Sequence, residues 1–170
     1  MTAKKKTDLD SEFFEPAEIR LLEPQRTAAS PHGMVSTAHF RATEVGVSIL
    51  EDGGNAIDAA IAAAFALGVC KPQASGLGSQ TMMLLHTANT NKTITLDGSS
   101  RVPNRAVIDV FPHPSFRSTG HTAATVPSTP ATLSYLLERY GSLTLPQVLE
   151  PAIHLAREGY EISALQNRLQ

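Results

Sequence analysis

The stretch GGNAIDAAIAAAFALGVCKP, residues 53–72, constrains the fold more than any other part of the chain. Asn55, with Asp58 three positions later, predicts a helix N-cap in which both side chains contact free backbone amides. The alanines that follow leave little side-chain bulk, so neighbouring elements can approach this helix closely. We therefore expect a central helix that ends before Pro72. Its predicted apolar face consists of Ile57, Ala60, Ile61, Ala64, Phe65 and Gly68.

The segments on either side of this helix predict a second helix and a hairpin. Residues 38–52 have apolar positions at helical spacing and end at two glycines. Residues 81–87 form a short apolar run of strand length, and residues 93–96 alternate polar with apolar. Because the turn residues 89–92 separate these two runs, we expect an antiparallel pair of strands.

The last third of the chain predicts three helices after an irregular region, residues 97–125. Thr129 followed by Pro130 is typical of an N-cap with proline at the first helical position, and Gly141 ends that helix. Residues 144–147 form a capping box, and the same signal recurs at residues 163–166. The chain stops within the second turn of that last helix, so we expect it to be part of a longer protein.

Composition places the chain among globular proteins. Its 170 residues are 42% hydrophobic and 18% charged, with a net charge of -2. The basic residues are scattered beyond the N-terminal lysines, which argues against nucleic-acid binding. We expect residues 1–33, rich in charge and proline, to be a flexible arm, and residues 34–170 to be the folded part.

Cys70 is the only cysteine, so an internal disulfide is impossible and a cysteine-ligated zinc site is excluded. The N-terminus lacks the apolar core of a signal peptide, which favours a cytoplasmic location. The longest apolar run, residues 59–69, is about half of the roughly 20 residues that span a bilayer, so no membrane contact is expected.

Four stretches together resemble one enzyme family. They are GMVSTAHFRATEVGVSILEDGGNAIDAAIAAAFALGV, KPQASGLGSQTMMLLH, TITLDGSSRVPNRA and TVPSTPATLSYLLERYGSLTLPQVLEPAIHLAREGYEIS. The last is similar to a helical pair that carries VPGxxxG and RYGxLxxxxLxxPAxxLAxxG. In this order, over about four fifths of the chain, they resemble the N-terminal part of the large subunit of the gamma-glutamyltransferase family.

The resemblance implies an α+β fold of the N-terminal nucleophile hydrolase type, an αββα sandwich of which this chain is an N-terminal portion. It also implies a precursor that cuts itself into a large and a small subunit. The new terminal threonine of the small subunit then attacks a gamma-glutamyl amide such as glutathione. The catalytic threonine lies outside this chain, which is expected to contain no catalytic residue and to need neither cofactor nor metal. The implied partners are the remainder of the precursor and a small-molecule amide.

One departure from the family pattern concerns the arginine that binds the substrate carboxylate. In the transferases it lies four residues before the proline that matches Pro103, where this chain has Ser99. Arg101 lies two residues before that proline, as in a branch of the family with a GSGRAP-like motif. A shift of two residues along a strand keeps the face and moves the side chain by roughly 6 to 7 Å. We predict that Arg101 binds a substrate carboxylate, with Ser99 beside it.

A second departure lies in the loop before the first strand. Ser75, Gly76 and Gly78 are predicted to line the substrate pocket, although the same residues also suit a tight helix-to-strand connection. The family usually has glycines where Ser79 and Gln80 stand.

The displaced arginine leaves two alternatives open. One is an amidohydrolase of the same fold that acts on a different small carboxylate amide. The other is a catalytically inactive homologue that binds a metabolite or serves as a scaffold.

The other reactive side chains fit structural roles better than catalytic ones. His39 precedes a helix and is read as a capping or packing residue, and Cys70 as a small hydrophobe. His113 and His121 lack the spacing of a metal site.

Three further polar residues have predicted roles near the helix start and the second strand. Ser128 and Thr129 are read as capping residues, not nucleophiles. Asp97 is placed either to orient Arg101 or to face solvent.

Overall fold

The computed structural model describes residues 28–162 and 164–169, and one compact unit begins at Val35. Most of the predicted arm, residues 1–33, and the predicted cap at Ser163 lie outside the described residues. The elements are α1 Phe40–Glu51, α2 Ala56–Cys70, α3 Pro72–Ser75, β1 Thr81–Thr87, β2 Lys92–Gly98, α4 Thr129–Tyr140, α5 Leu145–Glu158 and α6 Ala164–Leu169. The fold is thus mixed α and β, as predicted. Among the described residues, none of the helices has the length and hydrophobicity that a membrane span requires.

Helix α2 occupies the centre of the helical layer, as the sequence predicts, and contacts α1, α4 and α5. The face prediction is wrong in one respect, because Ala60 is exposed. The deeply buried positions include the alanines outside the predicted face: Ala59, Ala62, Ala63 and Ala66. Small side chains allow close helix–helix approach, so neighbouring helices cover the alanines as well as the larger residues.

Asp58 connects the start of α2 to the loop between α4 and α5. As predicted, its Oδ2 accepts the Asn55 amide at 2.8 Å, while Asn55 Oδ1 accepts the amide of Ile57 at 2.7 Å. The same carboxylate also accepts the Ser142 hydroxyl at 2.6 Å, the Ser142 amide at 3.0 Å and the Leu143 amide at 3.1 Å. Burial alone raises the pKa of Asp58, but these hydrogen bonds outweigh it and hold the pKa below its ordinary value.

The two strands form the predicted antiparallel hairpin. Its register pairs Thr81 with Gly98 and Thr87 with Lys92, and Asn91 adopts the left-handed conformation, φ 49°, in the turn. On the inner face Leu85 is buried, with Met83, Ile94 and Leu96 packed against the same core. The outer-face residues Met82 and Leu84 are 67% and 71% exposed.

Two local predictions need correction at helix starts. Helix α4 begins at Thr129 with Ser128 as its N-cap, so the predicted cap and proline positions are each wrong by one residue. Pro72 both follows the end of α2 and opens the four-residue helix α3, which was not predicted. The capping box of α5 is confirmed, since the Thr144 amide donates to Gln147 Oε1 at 2.9 Å.

The region after β2 lacks long elements, as predicted. It contains three short 3-10 helices, Ile108–Val110, Pro114–Arg117 and His121–Ala123, and an isolated bridge between Arg101 and Val126.

Replacing Asp58 by alanine should lower the free energy of unfolding at neutral pH by about 3 kcal/mol, because several buried donors lose their acceptor. The effect should shrink below about pH 4. A depressed folded-state pKa stabilises the fold above the unfolded pKa, and this stabilisation disappears as the pH falls through the folded pKa. Urea denaturation across this pH range measures it. Asp52→Ala, at an exposed position, is the control; equal losses in both variants would contradict the assignment.

Candidate substrate-binding site

The chain leaves β2 at Gly98 along a path in which side chains satisfy the backbone. Asp97 Oδ1 accepts the Ser99 amide at 3.0 Å and the Ser99 hydroxyl at 2.5 Å. These bonds, chiefly that of the hydroxyl, lower the pKa of Asp97. The Ser100 amide donates to Gln80 Oε1 at 3.2 Å. The hydroxyl of Ser99 is therefore turned toward Asp97. Asp97 is exposed and, among the described residues, forms no ion pair with Arg101, which agrees with the solvent-facing alternative.

Arg101 is fixed through its backbone and carries an exposed side chain. Its amide donates to Val126 O at 3.4 Å and its carbonyl accepts the Val126 amide at 2.8 Å. Among the described residues Arg101 forms no ion pair. Its guanidinium therefore remains available to an anion from outside.

An open cavity of about 330 Å³ lies beside Arg101. It is lined by Arg101, Val102, Pro103, Asn104, Arg105 and Val126. The Ala106 amide closes a turn onto Pro103 O at 2.9 Å, and this turn places Arg105 on the same cavity. The lining residues include two arginines and no acidic residue, so the local field favours an anionic ligand. The sequence analysis predicts Arg101 as a binding residue and does not name Arg105, which the turn brings to the same cavity.

The loop before β1 meets this region through its last residues. Gly76 O accepts the Ser79 amide at 3.2 Å and the Ser79 hydroxyl at 2.7 Å. Gln80 then reaches Ser100. The predicted site residues Ser75, Gly76 and Gly78 do not line the cavity beside Arg101. Their role in substrate binding stays a prediction.

The start of α4 packs against the open end of the hairpin. Ser79 O accepts the amides of Ser128 and Thr129 at 3.1 and 3.2 Å. The Ser128 hydroxyl donates to Gly98 O, and the Thr129 and Thr81 hydroxyls lie 2.9 Å apart. These hydroxyls therefore join helix to hairpin instead of capping α4.

Gly98 lies where no side chain fits. An added Cβ would collide with the Thr132 side chain and with Thr81 O. Ser128 and Thr132, which both contact Gly98, stand at the two glycine positions of the family's VPGxxxG motif. The side chains that crowd Gly98 are therefore visible in the sequence as departures from that motif.

The other candidate groups have the structural roles predicted for them. His39 caps α1, its Nδ1 accepting the Arg41 amide at 3.3 Å, and burial with nearby Arg41 and Lys71 lowers its pKa. Cys70 is fully buried, and burial raises the pKa of its thiol. No cluster of metal-ligating side chains occurs within residues 28–162 and 164–169.

Comparison with known proteins decides the family. The family model described as gamma-glutamyltranspeptidase matches residues 42–170. The chain belongs to the gamma-glutamyltranspeptidase family. It is 40% identical over 137 residues to the glutathione hydrolase proenzyme of Escherichia coli, covering 77% of this chain and 23% of the relative. It is 39% identical over 140 residues to that of Bacillus subtilis, covering 78% and 24%.

A solved structure agrees with the sequence match. The crystal structure of Helicobacter pylori gamma-glutamyltranspeptidase superposes with a TM-score of 0.79 at 36% identity, over 84% of this chain and 42% of that chain. The chain thus spans about a quarter of the length of the first curated relatives. This agreement identifies the helical layer and hairpin as the fold of a gamma-glutamyltranspeptidase-family protein.

Replacing Gly98 by alanine should lower the free energy of unfolding by about 2 kcal/mol, because the new methyl group has no room beside Thr132. The matched control is Gly78→Ala, where an added Cβ meets nothing within 4 Å. Its effect should stay below about 0.5 kcal/mol. Thermal and urea denaturation of both variants measure the difference. Gly98→Ala as stable as Gly78→Ala would contradict the crowding described at the hairpin end.

Proposed function

We propose that the protein containing this chain is a self-cleaving amidohydrolase that hydrolyses or transfers a gamma-glutamyl group, and that Arg101 binds the carboxylate of that group. The observation that carries the proposal is the cavity beside Arg101, which two arginines line and no acidic residue lines. The glutathione hydrolase names of its relatives support the reaction class.

The proposed reaction needs a nucleophile from the remainder of the precursor. Self-cleavage exposes a threonine whose own α-amine accepts the hydroxyl proton. The hydroxyl oxygen attacks the amide carbon, the carbon–nitrogen bond breaks, and the proton passes to the departing amine. Water or a second amine then takes the acyl group from the ester. The residues of this chain contribute binding and orientation, not bond making.

Arg101 suits the binding role for physical reasons. A guanidinium binds a carboxylate through two parallel hydrogen bonds, which fixes both the position and the rotation of the acyl group. Its pairing with Val126 fixes the backbone from which the side chain extends. Orientation of this kind accounts for a large part of the rate of reactions between bound groups.

A second candidate function is an amidase for a different small carboxylate amide. Ser99 stands where the transferases have their arginine, and its hydroxyl is engaged by Asp97. An arginine two residues later favours an anion in a different place. Arg105 on the same cavity favours a substrate with a further anionic group. We also propose a cytoplasmic location for the protein under either candidate function, on the basis of its N-terminal sequence alone.

Self-cleavage is tested on the full-length precursor. After purification and incubation, a denaturing gel should show two fragments in place of one band, and the smaller should begin with threonine by N-terminal sequencing. A single uncleaved band, with no hydrolysis of any amide, would instead support the inactive homologue.

Arg101→Ala in the processed enzyme should raise the KM for an anionic amide at least about tenfold, because the substrate loses a charge-assisted bidentate contact. Arg101→Lys should recover part of the loss. The control is Arg139→Ala, an exposed arginine in the last turn of α4. Steady-state kinetics with gamma-glutamyl amides and short dicarboxylic monoamides measure the effect and identify the preferred substrate. An unchanged KM in Arg101→Ala would remove Arg101 from the site.

A further inference from the structure

We propose that Gln80 and Ser128 are positioning residues for Arg101, and that together they determine where the substrate carboxylate is held. The inference rests on the proposed function of Arg101. It concerns two side chains that lie outside the lining of the cavity.

The first step concerns the hydrogen-bond partners of the backbone groups between β2 and Arg101. The carbonyl of Gly98 accepts the Ser128 hydroxyl, and the amide of Ser100 donates to Gln80 Oε1 at 3.2 Å. The backbone of Arg101 pairs instead with Val126. Asp97 accepts the Ser99 amide within the same segment, while the Gly98 carbonyl and the Ser100 amide are bound by side chains from two other segments.

The second step is the rigidity of the helix start from which Ser128 binds the Gly98 carbonyl. Ser128 is the N-cap of α4, and the next residues on that helix, Thr129 and Thr132, are 6% and 7% exposed. The amides of Ser128 and Thr129 are held by Ser79 O. Because the Ser128 hydroxyl extends from this rigid helix start, it holds the Gly98 carbonyl in one place.

The third step is that the atoms around Gly98 leave the chain little freedom there. The Thr132 side chain and Thr81 O fill the space into which a Cβ would extend. Close packing excludes a side chain on one side of Gly98, and the Ser128 hydroxyl binds the Gly98 carbonyl. From there the chain runs to Ser100, which Gln80 binds, and to Arg101, which pairs with Val126.

The fourth step separates, for Gln80, an effect on the position of Arg101 from an effect on the free energy of unfolding. Gln80 is exposed, and its acceptor oxygen receives the Ser100 amide and hydroxyl at 3.2 and 3.4 Å at the protein surface. Loss of an exposed hydrogen bond changes the free energy of unfolding little, because water replaces the partner. The same loss removes the side chain that ties Ser100, next to Arg101, to the segment before β1. A displacement near 1 Å of a binding group is enough to weaken a productive complex.

The experiment uses the full-length processed protein and the best anionic amide. Gln80→Ala and Ser128→Ala should each raise KM about three- to tenfold with kcat changed less than about twofold. The inhibition constant of the carboxylate product that hydrolysis releases should rise by the same factor, because Arg101 would bind this product as well. Ser128→Thr, which keeps the hydroxyl, should restore KM. The matched control is Ser48→Ala, which removes a hydroxyl that also donates to a backbone carbonyl, Val45 O at 2.9 Å.

A double-mutant cycle makes the test specific. In the Arg101→Ala background, Gln80→Ala should have no further effect on KM, because the residue it positions is absent. An equal fold-change in both backgrounds overturns the inference, as does a wild-type KM for both single variants.

Amide hydrogen exchange at Val126 separates this inference from the proposed function. The Val126 amide donates to Arg101 O at 2.8 Å, so its acceptor is neither mutated side chain. Its exchange should be faster in Gln80→Ala and Ser128→Ala than in Ser48→Ala. Unchanged exchange overturns the positioning role even in an active enzyme. A wild-type protein without self-cleavage or amide turnover overturns the proposed function, and with it the role in substrate binding.

Discussion

The structure depends most on one buried carboxylate. Asp58 joins the first turn of the central helix to the loop between α4 and α5, accepting hydrogen bonds from Asn55, Ser142 and Leu143. A negative charge at a helix N-terminus also interacts favourably with the helix dipole. Because this contact holds the C-terminal end of α4, the direction of α4 is set there. The opposite end of the same helix presents Ser128 to the hairpin.

The chain's departures from the family pattern lie together in space. Ser79, Gln80, Ser128 and Thr132 stand at positions where the family pattern has glycine. Ser79 and Ser128 contact each other through backbone, while Gln80, Ser128 and Thr132 surround the segment that leads to Arg101. These side chains hold the backbone path that carries Arg101, two residues later than the arginine of the transferase pattern. Side chains that fix such a path, in place of glycines that would leave it free, form a consistent set with that arginine.

Local patterns in the sequence were sufficient for the longer helices and the hairpin, because caps and apolar spacing act within a few residues. They were not sufficient for contacts between distant segments. The bond from Ser142 to Asp58 spans 84 positions, and that from Ser128 to Gly98 spans 30. For the same reason Arg101 was predicted from its spacing to a proline, whereas the position of Arg105 on the same cavity depends on the turn that follows. The exposed Ala60 was misplaced because burial on an alanine helix depends on which neighbours cover it.

The burial of Cys70 makes the sole thiol of the chain a reporter of the helical layer. Its sulfur lies at the end of the central helix with no exposed surface, and its raised pKa keeps it in the unreactive protonated form. Alkylating reagents in solution reach it only when that layer opens. The rate of its modification therefore gives the frequency of a local unfolding event, read at one atom without any introduced label.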